Sequence, residues 1–219
     1  MTKVIGLIGA DKYDFISYMA KALQNLDMKV LMVDYTALRG LMSTIPEYID
    51  GKITEYQELF YLGSPDTGEL QQIINNKTYD FIFMDFDYLC GKKDIFLCQN
   101  VVFLTDMQRH HIELIENIRI PYPIKKHLVF RIDDLSRRLS NYTKQIANNM
   151  GISEEESYYC PWGEKERTQQ LHCQYYYEIP WKRVSPLIKH IILDLIHSWL
   201  EPAENQGDIP MVMQASQIG

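Results

Sequence analysis

The chain has 219 residues, 46% of them hydrophobic and 23% charged, and its 22 basic and 29 acidic residues give a formal net charge of −7. That length supports one substantial core, and the composition is ordinary for a folded domain. The acidic balance, with a pI near 5.4, excludes broad electrostatic attraction to nucleic acid or anionic lipid, and no apolar run is long enough to cross a bilayer.

Four cysteines (Cys90, Cys98, Cys160, Cys173) show no CxxC spacing, and no leader pattern precedes the first apolar run. A cytoplasmic location is therefore expected. The fifteen tyrosines, several of them late in the chain, favour a contact surface, although ordinary core and strand positions account for most of them.

Residues 3–9 form a short apolar run ending in glycine, the pattern of a buried parallel strand. Phe15, Tyr18, Met19, Ala22, Leu23 and Leu26 then recur at helical spacing, so a helix over 14–26 packs one face on a sheet. Residues 30–33 are the next strand, closed by Asp34 at the end where such folds place functional groups. Residues 36–78 read as helical with loops: 53–62 looks helical, the Gly-Ser-Pro-Asp-Thr-Gly stretch at 63–68 breaks the chain, and another helix starts at Glu69. Residues 79–87 make a strand ending in Asp85 and Asp87.

Residues 100–105 repeat the strand pattern, and a helix over 107–119 is stopped by Pro121 and Pro123. Residues 126–131 are a further strand; Asp133 or Asp134 can cap the helix that follows, which Gly151 ends after Met150. Residues 153–174 carry mixed charge without a clear period and read as an exposed, partly extended excursion. Residues 175–179 read as a last strand, and Ser185 to Leu200 as an amphipathic closing helix. No internal repeat is present. The alternation predicts an α/β fold in three layers, a mostly parallel sheet with helices on both faces, forming one domain over 1–200 with a polar, flexible tail over 201–219.

The turn after the first strand is where a phosphate sits in nucleotide-binding α/β proteins, cradled by backbone N–H groups and a helix N-terminus. A working phosphate loop has glycine, four residues, then Gly-Lys-Ser/Thr. Here Gly6 is followed by Leu7, Ile8, Gly9 and Ala10, and then by Asp11, Lys12 and Tyr13. Lysine stands at the expected place, but Asp11 puts a carboxylate where phosphate oxygens would go. Tyr13 cannot replace the small metal-binding hydroxyl.

Taken with residues 19–23, 29–34, 79–85, 101–105 and 178–180, this loop gives the chain a resemblance to the ParA/MinD superfamily of deviant P-loop ATPases, including the CpaE/TadZ and FlhG type. The pieces follow the family order over nearly all of 1–200. The resemblance implies the P-loop NTPase-like fold and a loop reading Lys-Gly-Gly-x-Gly-Lys-Thr-Thr. Mapped onto this chain, the signature lysine is Leu7, the glycine before the second lysine is Asp11, and the threonines are Tyr13 and Asp14; only Lys12 is kept. Asp34 and Asp85 fall on retained acids, Asp85 on the one that helps position Mg²⁺ through water. Arg131 replaces an asparagine often found near the base.

The implied function is a pseudo-ATPase serving as a protein-binding, assembly or localisation factor for a bacterial envelope machine such as a pilus, secretion or polysaccharide-export system. Its expected place is the cytoplasm, with recruitment to the inner membrane face through partners. Like charge from Asp11 and the missing metal ligand both oppose phosphoryl transfer. No catalytic residue, metal or cofactor is expected; the vestigial site is Gly6, Gly9, Asp11, Lys12, Asp34 and Asp85, with ATP or ADP as its candidate ligand. The alternatives are a weak ATPase using Lys12 and the Asp34/Asp85 pair, or a nucleotide sensor.

Lys12 reads either as a residual anion binder or as a solvated lysine, and Asp34, Asp85 and Asp87 as a metal or switch region or as strand-ending polar residues. A salt bridge from Lys12 to Asp34 or Asp85 would plug the pocket. Neither His110, His111 and Glu113 nor Cys160, His172 and Cys173 has zinc-site spacing. Direct membrane insertion and nucleic-acid binding are not expected, Arg137 and Arg138 being too few. If the chain dimerises without nucleotide, Tyr158, Tyr159 and Trp162 are the candidate contact surface for the homodimer or a protein partner.

Overall fold

A computed structural model of the chain describes residues 1–9, 11–88, 93–133 and 137–200. The expected tail over 201–219 and the proposed cap at Asp134 lie outside the described residues. The strands are β1 (Lys3–Gly9), β2 (Val30–Asp34), β3 (Thr54–Tyr56), β4 (Leu59–Gly63), β5 (Phe81–Phe86), β6 (Asn100–Thr105), β7 (Lys125–Ile132) and β8 (Ser157–Pro161). They form one sheet in the order β3-β4-β2-β5-β1-β6-β7-β8. Every pair is parallel except the β3–β4 hairpin.

The helices are α1 (Tyr13–Gln24), α2 (Thr67–Asn76), α3 (Arg109–Asn117), α4 (Arg137–Met150), α5 (Glu164–Tyr175) and α6 (Pro186–Trp199). Side chains alternate across a strand with a period of two, so each central strand feeds two cores. Ile5, Leu7, Val30, Met32, Phe81, Phe83, Val102 and Val129 pack with α1 and α6, and α5 adds Cys173. Val4, Ile8, Leu31, Val33, Ile82, Met84, Val101 and Phe130 pack on the other face with residues of α2, α3 and α4. This is the expected three-layer α/β arrangement.

Helix α1 carries a one-sided apolar pattern, yet ten of its twelve residues are buried. The sheet lies under one side, and α5 and α6 both pack against it. It is the central helix of its layer.

Three regions differ from the sequence reading. The helix expected over 53–62 is instead the β3–β4 hairpin, whose turn residues Gln57 and Glu58 both have positive φ (50° and 62°). Two successive left-handed residues fit a type I′ turn, usually signalled by Asn-Gly or Asp-Gly, and Gln-Glu carries no such signal. Residues 153–174 are not an exposed excursion: β8 pairs with β7 at the sheet edge, and α5 follows. The buried positions of α5 are Gln169, Gln170 and Cys173, so its inward face is polar and leaves no apolar period to read. Residues 175–179 are not a strand; Tyr175 ends α5 and Tyr177 turns the chain at φ 54°.

Candidate functional site

Gly6 does not open the loop. It lies inside β1, opposite Met84 and Val101, with the Cys98 thiol, Phe86 and Val101 against its α-carbon. The strand continues to Gly9, and α1 begins at Tyr13, so only residues 10–12 connect them. Leu7 and Ile8 sit in ladder register with both β5 and β6, and Gly9 with β6, rather than curling around a common centre. Gly9 is required by contact: at φ 153° its added Cβ would stand 2.0 Å from the Leu104 carbonyl oxygen.

The period-two alternation that sends Met32, Phe83 and Val129 toward α1 also sends Asp34, Asp85 and Arg131 to that face. Lys12 is not solvated. Its ammonium lies 2.5 Å from Asp85 Oδ1, with both side chains almost fully buried, and donates to the Gly9 carbonyl at 2.8 Å. Burial raises the Asp85 carboxyl to about 6, with Lys12 opposing that rise and Asp34 adding to it.

Asp34 serves the backbone. Oδ1 accepts from the Thr36 amide (2.8 Å) and hydroxyl (2.6 Å), and Oδ2 accepts from the Leu41 and Met42 amides (both 3.0 Å). Both oxygens are thus committed to folding the 36–42 segment back over β2. Asp87 accepts from the Ala37 amide at 2.9 Å and anchors the same segment.

A second buried ion pair flanks the loop on its other side. Arg131 donates to Asp14 Oδ1 at 2.8 Å and to the Asp11 carbonyl at 2.7 Å. Gln170, from the polar face of α5, donates to the same Asp11 carbonyl at 2.6 Å. Asp14 is in the first turn of α1, so a carboxylate of the chain itself occupies the positive end of that helix. Burial nevertheless pushes its carboxyl upward, with Arg131 opposing. Asp11 stands at φ 45° with its side chain exposed. Sequence reading missed Asp14, Arg131 and Gln170 as a unit; the arginine in place of the expected asparagine was the one available sign.

Beside this loop, at the carboxyl ends of β1, β6 and β7, lies an open cleft of about 860 Å³ whose walls include Asp11, Thr105, Asp106, His111, Arg131 and Trp162. His111 Nδ1 lies 2.8 Å from Asp106 Oδ1, and its ring stacks on Tyr88. The Arg131 guanidinium stands 3.9 Å from the centre of the Trp162 ring. Trp162 is half-buried, as are Tyr158 and Tyr159, so the expected exposed contact segment is largely packed into the fold. Tyr159 stacks on Phe130, and its hydroxyl lies 2.9 Å from that of Thr143. The exposed tyrosines at this end of the chain are Tyr175, Tyr176 and Tyr177. Among the described residues no group of His, Cys, Asp or Glu could hold a metal ion, and burial pushes the Cys160 and Cys173 thiols up to about 12.

No protein-family model matches the sequence, and no curated protein matches it. Solved structures do. The sheet order and the helices on both faces define a P-loop NTPase-like α/β fold, and its particular form is that of the ParA/MinD ATPases. A ParA family ATPase from Chlorobium tepidum superposes with a TM-score of 0.68 at 19% identity, over 90% of this chain and 98% of that one. A chain of the MinC:MinD cell division protein complex of Aquifex aeolicus matches with a TM-score of 0.67 at 13% identity, over 94% and 100%. Apo McdA from Cyanothece gives 0.60 at 8% identity, over 89% and 100%. At these identities the likeness is one of fold.

Proposed function

We propose that this chain is a catalytically degenerate ParA/MinD-like protein, a pseudo-ATPase that acts as a protein-binding, assembly or localisation factor for a bacterial envelope machine. The observation that carries the first half is the engagement of Lys12 with Asp85. The lysine that would meet phosphate and the acid that would help place Mg²⁺ satisfy one another inside the protein. The short β1–α1 connection and the Asp14 carboxylate at the helix N-terminus support the same reading. These residues do not suit a metal-bound triphosphate: entry would require breaking a buried ion pair and adding charge beside Asp11 and Asp14. The assembly role rests on the fold type and on protein partnership in a structural neighbour, the MinC:MinD complex.

Calorimetric titration with ATP and ADP in Mg²⁺, together with a phosphate-release assay, tests this. The expected outcome is no binding below millimolar concentration and no turnover. Tight binding with turnover lost in Lys12→Ala would overturn it. The second reading, a nucleotide sensor or weak ATPase, draws support from the open cleft beside the loop and from the ATP complex of an McdA variant with this fold. Binding without turnover would select the sensor.

A further inference from the structure

A separate surface lies on the outer side of the α1/α5 layer. Two clefts of about 360 and 350 Å³ run between α5 and the 178–183 segment and share His172, Pro180 and Arg183. Lys165 and Arg183 face Glu164 in the first, and Lys21, Lys182 and Arg183 face Glu178 in the second. Each is therefore net positive in a chain of net charge −7. None of these four cations is in an ion pair among the described residues.

His172 lines both clefts and Trp181 the second, with exposed tyrosines beside them. The Tyr176 ring stacks on His172 with centres 4.3 Å apart and remains well exposed, as does Tyr175. Trp181 lines the second cleft with its side chain largely buried. Tyrosine, tryptophan and arginine together are the residues that anchor protein interfaces.

We propose that this groove docks an acidic segment of a partner protein, one carrying Asp or Glu beside an apolar residue. Carboxylates would meet Lys182, Arg183 and Lys21, and the apolar neighbour would lie on Ile179, Pro180 and Tyr176. Glu164 and Glu178 inside the groove disfavour a continuous line of phosphates, and the site is concave rather than a broad basic face. Both features point to a peptide over nucleic acid or a lipid surface. The inference rests on the protein-binding reading above and names its partner class.

The test uses the full chain, labelled with ¹⁵N and titrated separately with four probes. These are a short peptide alternating Glu with Leu and Phe, its Lys counterpart, a 24-base-pair DNA duplex, and phosphatidylglycerol vesicles. The acidic peptide is expected to bind alone, shifting amides of Lys21, His172, Tyr176, Trp181 and Arg183. Its affinity should fall at least tenfold in the double variant Lys182→Glu, Arg183→Glu, whose folding is checked by circular dichroism. No binding, equal binding to the double variant, or tighter binding of DNA or vesicles to the same amides overturns the proposal. So does displacement of the probe by a peptide of residues 201–219, which would make the occupant internal. ATP turnover, which would sink the pseudo-ATPase reading, leaves these outcomes unaffected.

Discussion

The ammonium of Lys12 and the carboxylate of Asp85 meet at 2.5 Å beneath the β1–α1 connection, with both side chains almost fully buried. Removing one partner of such a pair leaves an uncompensated charge, whereas removing both leaves an apolar gap. Asp85→Asn is therefore expected to cost about 3–5 kcal/mol by urea unfolding, as is Lys12→Met to a lesser degree, because the carboxyl it strands can take up a proton. The double variant should be more stable than Asp85→Asn alone. Simple additivity of the two losses would show that the pair is not coupled.

Arg131 offers a second test. Arg131→Asn introduces the residue that the family resemblance leads one to expect there, but in this fold it strands Asp14 and frees the Asp11 carbonyl. The expected result is a loss of about 3–5 kcal/mol with no gain of ATP affinity. Arg131→Lys should recover only part, since one ammonium cannot reproduce the forked contacts and the stack on Trp162. Measurement of the melting temperature with and without ATP decides it; a nucleotide-dependent rise in the Asn variant would contradict the argument.

Asp34 organises its segment through four donors. Asp34→Ala leaves buried amides unpaired, at about 1–3 kcal/mol for each group not reached by water. Hydrogen exchange should accelerate first at Thr36, Leu41 and Met42, ahead of the sheet amides. Uniform acceleration across β2 and β5 would instead place Asp34 in the global core.

Acid sensitivity has an identifiable source in His127. Its ring is buried with neither nitrogen partnered among the described residues, and burial together with Lys125 lowers its pKa from 6.5 to about 4. A depressed value means that the unfolded chain takes the proton first. Its stability contribution is whole above pH 6.5 and is lost as pH falls through 4, amounting to about 2 kcal/mol by pH 5. Asp85 works the other way: its raised pKa contributes stability fully below 3.8 and loses it as pH rises through about 6. His127→Leu should therefore turn the wild-type decline between pH 6.5 and 5 into a rise, read from denaturation midpoints. An unchanged profile would assign the acid response to other groups.

The order of strands and helices through most of the chain was written in the sequence. Runs such as Val30–Asp34 and Phe81–Phe86 are apolar on both faces because both faces are covered, and that signal is local. So was the altered loop: Asp11, Lys12 and Tyr13 stand where a phosphate site needs other residues. The hairpin at 54–63 was not legible because its Gln-Glu turn carries no hairpin signal, and the pairing of β8 and the polar inward face of α5 were not because both depend on contacts distant in the chain. Tertiary structure alone decided what Lys12 does. A lysine in a first helical turn is solvated unless a distant strand end brings a carboxylate under it, and strand alternation placed Asp85 there. In the same way Arg131 became the partner of Asp14 only because β7 lies two strands from β1 with that residue turned toward α1. Sequence specified the charges; the register of the sheet determined which of them meet.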